Sequence, residues 1–156
     1  MKRTRATPLI ALGLLGFVLG LLVEVAAAAS GRAIIVPPIT LPLTLVVVGI
    51  VVVLLAWPIR QVISGRARRL VDPFRAMRVA VLAKASSLSG SLVLGAGLGI
   101  VGFILTRSVV PAVASLWLAV ATALGAGILL AGGLVAEKFC TLPPDDDESQ
   151  PGGERA

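Results

Sequence analysis

Few side chains in this 156-residue chain are equipped for chemistry, and it holds no histidine, no tyrosine and one cysteine, Cys140. An intrachain disulfide is therefore impossible. Zinc, haem and copper sites lack the sets of His and Cys ligands that they draw on, and no imidazole is present to activate a serine or cysteine nucleophile. Ser86, Ser87, Ser89 and Ser91 cluster just after Lys84. An ordinary solvated lysine is already protonated and makes a poor base, so an enzyme is not expected. Glu24 stands alone in the apolar stretch from Leu9 to Ala29, where an acid can carry a proton or bind a cation. It lies about 24 Å along a helix from Pro8, near the far edge of a bilayer. That position favours a wetted acid that snorkels or pairs with Arg32 or Arg107. Gly97-Leu98-Gly99-Ile100-Val101-Gly102 matches the spacing of a dinucleotide-binding turn, but that motif works only between a strand and a helix. No cofactor is expected.

The elements that hold these residues follow from composition. Hydrophobic residues make up 57% of the chain and charged residues 14%, with a mean hydropathy of +1.01, and such a balance needs lipid rather than water as solvent. The net charge of +6 accompanies only 4% aromatic residues, which argues against a nucleic-acid surface of interleaved bases and rings. The pattern predicts an all-α integral membrane four-helix bundle of two antiparallel hairpins, with spans near 9–29, 39–57, 85–105 and 111–135 forming a single domain over 1–140. The β-branched runs Val46-Val47-Val48 and Ile50 to Val53 must be helical in lipid, where an isolated strand leaves its backbone groups unpaired. Trp57 and Pro58 are expected to end the second span. Between spans two and three lies a basic connector, and Asp72-Pro73 is a good start for a short interfacial helix leading into span three. Pro143-Pro144 and the acidic run Asp145 to Glu148 mark 141–156 as a disordered tail.

Lysine and arginine are divided unevenly among the ends and connectors. Three lie before the first span, seven from Arg60 to Lys84, and Lys138 and Arg155 after the fourth, against Arg32 and Arg107 alone on the other side. The positive-inside rule then predicts both termini in the cytoplasm. Lys2-Arg3-Thr4-Arg5 with Ala26-Ala27-Ala28 also has the layout of a cleavable signal peptide, although the apolar run is longer than a signal core and Glu24 precedes the site, so retention is expected. Small residues recur at every fourth position: Gly16 and Gly20 on span one, Ser87, Ser91, Gly95 and Gly99 on span three, and Ala119, Ala123, Gly127 and Ala131 on span four. Such stripes allow close helix packing, though abundant Ala and Gly also produce them by chance. Lys84 and Glu137 fall at the inner ends of adjacent spans and are candidates for an ion pair, or for two separate anchors. Arg66, Arg68, Arg69, Arg75 and Arg78 are candidates for contact with anionic lipid head groups. Cys140 is a candidate for palmitoylation or a merely structural residue.

Leu55-Ala56-Trp57-Pro58, Val71-Asp72-Pro73-Phe74-Arg75, Val81-Leu82-Ala83-Lys84-Ala85-Ser86, Leu134 to Cys140 and Pro143-Pro144-Asp145-Asp146 together resemble a domain-of-unknown-function family of small actinobacterial membrane proteins. The resemblance covers most of the chain and implies the same four-span fold, with no catalytic residue to carry over. The expected role is non-enzymatic, packing with itself as a homo-oligomer or with a membrane-protein partner. The alternative is a small oligomeric transporter or channel, and the chain resembles the small multidrug-resistance exporters poorly, lacking tyrosine and holding its acid near a membrane edge.

Overall fold

The structure, a computed structural model, describes residues 6–31, 37–63, 73–106 and 113–140. The four segments contain α1 (Ala6–Ala29), α2 (Thr40–Ile63), α3 (Pro73–Thr106) and α4 (Val113–Cys140), and no strand occurs among the described residues. All four are long and apolar enough to cross a bilayer. The β-branched middle of α2 is helical, since in lipid a helix satisfies every backbone group within its own segment. Gly31, with φ of 68°, takes the left-handed turn that closes α1; its amide donates to the Ala28 carbonyl while the Ser30 amide donates to Ala26, the C-terminal arrangement that glycine adopts without strain.

Two boundaries differ from those expected. Pro58 does not end α2, which continues to Ile63. A proline costs its own amide hydrogen bond and strains the preceding turn. Here, however, the next turn buries Ile59 in a cluster with Val52, Ala56, Val79, Ala83 and Ala136, from α2, α3 and α4. The interfacial helix and third span are one continuous helix of 34 residues, roughly 51 Å long and well beyond a hydrocarbon thickness. Pro73 opens it at the first helical position, where its missing amide has no partner to lose.

The helices pack in the order α1, α3, α4, α2, with α2 also touching α3. Neighbours in sequence are therefore not always neighbours in space. α1 and α2 make no packing contact, so the first expected hairpin is not a packed pair, and each of its helices lies instead against a helix of the second. α1 runs parallel to α3: Ser91 meets Leu9, Gly95 meets Gly13, and Gly99 meets Phe17. The constant register of 82 residues is shifted by one residue in the parallel pair α2 and α4, where Pro42 meets Gly125 and Gly49 meets Gly132. α3 and α4 are antiparallel, Ser87 meeting Gly133 and Gly97 meeting Ala123. One end of this assembly carries Arg60, Arg78, Lys84 and Lys138 and is called the basic end below.

Candidate functional site

The α1–α3 seam is built from small residues. A Cβ on Gly16 would overlap the backbone at Leu92, one on Gly20 the backbone at Ala96, and one on Gly95 the backbone at Gly13. Two helix backbones therefore lie in direct contact, an approach that only residues lacking bulk permit. The Ser91 hydroxyl donates across the seam to the Leu9 carbonyl.

Glu24 lies farther along the same face of α1. Its side chain is only 1% exposed, and the α1–α3 register carries it level with Thr106. It is not the wetted, snorkelling acid expected from distance alone. Gly16, Gly20 and Glu24 share one helical face, and the face that glycine brings against α3 takes the carboxylate with it. Arg32 and Arg107, its expected partners, lie outside the described residues.

Hydroxyls in the α3 cluster serve the backbone. Ser86 donates to Leu82, Ser87 to Lys84, and Ser89 to Ser86. On α4, buried Thr122 donates to Leu118. Each proton is committed to a carbonyl, an arrangement that satisfies polar groups in lipid and does not aim a nucleophile. Gly97, Gly99 and Gly102 lie inside α3 without a strand before them; Gly97 faces Ala123 of α4 and Gly99 faces Phe17 of α1, so Gly97 and Gly99 serve packing. No group of three or more metal-capable side chains occurs among the described residues.

The expected stripes divide between partners. Ser87 lies against Gly133 of α4, whereas Ser91, Gly95 and Gly99 lie against α1. A four-residue step overshoots a 3.6-residue turn by about 40°, so the α3 stripe drifts around its helix from one neighbour to the other. The same drift operates on α4, where Ala119 and Ala123 are buried, Gly127 is half-buried, and Ala131 is exposed. Ala131 lines a groove between α2 and α4 rather than a seam with α3.

That groove has a volume of about 430 Å³ and is formed by Gly49, Ile50, Val53 and Leu54 of α2 with Ile128, Ala131, Gly132 and Val135 of α4. At its basic end the Arg60 guanidinium sits 4.4 Å above the Phe139 ring centre, and Trp57 meets the same ring edge-on at 6.3 Å. Sequence reasoning missed both features. Gly49, isolated among valines, and Gly132, one helical turn before Ala136, carried a visible signal of close approach; the Arg60–Phe139 stack joins residues too distant in sequence to be paired by pattern.

Of the remaining candidates, Lys84 is exposed and Glu137 half-buried at the basic ends of α3 and α4, which Ala83 and Ala136 hold together. Arg78 is exposed on the first turns of α3. Arg66, Arg68, Arg69 and the Arg75 side chain lie outside the described residues, as does the segment 141–156. Cys140 is a half-buried free thiol closing α4.

Four apolar helices joined through glycine contacts, with hydroxyls turned onto carbonyls, define a multi-pass membrane protein. The chain belongs to the family described as "Protein of unknown function (DUF3180)", whose model matches residues 9–144. No curated protein and no solved structure matches it.

Proposed function

We propose that this protein is a non-enzymatic accessory component of a bacterial inner membrane, with both termini in the cytoplasm, that associates through its lateral helix faces with copies of itself or with another membrane protein. The observation that carries this reading is the open order of the helices. α1 docks on α3 alone, and its other faces expose Leu14, Leu15, Val18, Leu22 and Val25, an apolar flank open to lipid or a partner helix. The reading is supported further by the serine hydroxyls, whose protons are bonded to backbone carbonyls. On this reading the first span is retained, because α1 supplies the glycine face that seals one side of α3.

Cross-linking in intact cells, followed by purification of the tagged chain in mild detergent and mass spectrometry, tests the proposal. A stoichiometric membrane partner or a defined homo-oligomer is the expected result. Solute flux across proteoliposomes by the purified protein, oligomeric or not, with flux lost in Glu24→Gln, would replace it with a transport reading.

A further inference from the structure

The α2–α4 groove has a direction as well as a volume. From Gly49 to Arg60 the α2 helix rises roughly 16 Å, about half of a 30 Å hydrocarbon core, so the groove and its cap together span one leaflet. Its walls are entirely apolar side chains and glycine. At its shallow end stand an indole, a phenyl ring and a guanidinium: Trp57 and Arg60 on α2, each about one or two turns beyond Val53, and Phe139 on α4, one turn beyond Val135. Lys138, exposed in the last turn of α4, adds a second positive charge at that end. The cation–π contact with Phe139 holds the Arg60 guanidinium at the groove mouth, on a side chain that is exposed, and a guanidinium's fork of N–H donors matches a phosphate. An apolar trough one leaflet deep, ending in a cationic clamp at head-group level, is complementary to one class of molecule.

We propose that this groove is a binding site for an anionic glycerophospholipid, with one acyl chain lying along Gly49, Val53, Ala131 and Val135 and the phosphate held by Arg60 and Lys138. The site depends only on the helices crossing a bilayer, and it stands or falls separately from the accessory role. Apolar burial in the groove yields no hydrophobic gain over the surrounding lipid, so selectivity resides in the head group, at roughly a fivefold preference per cation, the equivalent of about 1 kcal/mol.

The chain contains two tryptophans and no tyrosine, so Trp117→Phe leaves Trp57 as the sole emitter at the groove mouth. This variant, reconstituted in phosphatidylcholine vesicles containing phosphatidylglycerol, is titrated with either lipid carrying brominated acyl chains. Quenching by brominated phosphatidylglycerol beyond its share of the bilayer is expected. Arg60→Gln with Lys138→Gln should bring that preference to near unity, and Ala131→Phe, which fills an exposed groove position, should weaken quenching by phosphatidylglycerol while helix content stays unchanged. Equal quenching by the two lipids, or a preference that survives the double substitution, overturns the proposal. So does disulfide-linked dimer formation by Ala131→Cys in a Cys140→Ser background, because a second copy would then occupy the groove.

Discussion

Two buried polar side chains, both on the α1–α3 seam, carry distinct consequences. The Ser91 hydroxyl donates to a carbonyl of another helix, whereas Ser86, Ser87 and Ser89 donate within their own. Removing an interhelical hydroxyl in lipid costs about 0.6 kcal/mol on average, and the intrahelical ones should cost less, because they tie no second helix into place. Ser91→Ala is therefore expected to lower thermal stability in detergent, followed by circular dichroism, more than Ser89→Ala. Glu24 presents the larger effect. As one of the largest fully buried side chains, it leaves a void when cut to alanine, and comparable truncations cost about 2–5 kcal/mol. Glu24→Gln keeps the volume and polar capacity, so it should remain much closer to the parent in the same melting experiment; equal losses would mean that charge, not packing, holds the seam.

The helices themselves were legible because length and hydropathy have one solution in lipid, and the β-branched run of α2 shows the bilayer overriding a strand preference. Their partners were not. A period of four reads as one stripe in sequence, but the 40° drift per step divides the α3 stripe between α4 and α1 and turns Ala131 out of the seam. Nor does a short connector make a packed pair, as the separation of α1 from α2 shows. The same geometry sorts the glycines by experiment. Gly102 and Gly127 have room for a methyl group, with nearest neighbours at 3.9 Å and 3.8 Å from its position. Alanine there should stabilise the helix by about 0.5–1 kcal/mol through reduced backbone freedom. At Gly16 and Gly95 the same methyl meets backbone, and overpacking of that kind costs about 1–3 kcal/mol or more. Opposite signs for the two sets, measured by reversible denaturation in mixed micelles, are expected; a uniform gain would show that α1 does not lie backbone-to-backbone on α3.

At the scale of the whole molecule, helix direction constrains topology more strictly than charge alone does. α1 and α3 are parallel, α2 and α4 are parallel, and α3 and α4 are antiparallel. Four successive crossings satisfy all three relations and return the end of α4 to the side on which α1 begins. Cleavage of the first span would preserve the directions of the other three but strip α3 of the helix against Gly95 and Gly99. That exposes a concave glycine face to lipid, which has no backbone to fill it. The intact mass of the protein purified from membranes is accordingly expected to include residues 6–29. Direction leaves open which side is cytoplasmic, and the proposed placing of both termini in the cytoplasm rests on the fourteen basic residues. Twelve belong to the side of the termini and the α2–α3 connector. A fluorescent reporter that matures only in the cytoplasm should light when fused after Ala156, and a phosphatase active only outside should remain silent. Neutralising Arg66, Arg68 and Arg69 while adding three lysines after Arg107 would reduce the bias from twelve against two to nine against five. The packed glycine seams resist reversal of a single helix, because the parallel pair to which it belongs would become antiparallel and lose its register. Mixed reporter signals from that variant should therefore come from inversion of the whole chain, which keeps every pairing and the folded protein, and loss of folded protein would instead mark reversal of a single helix.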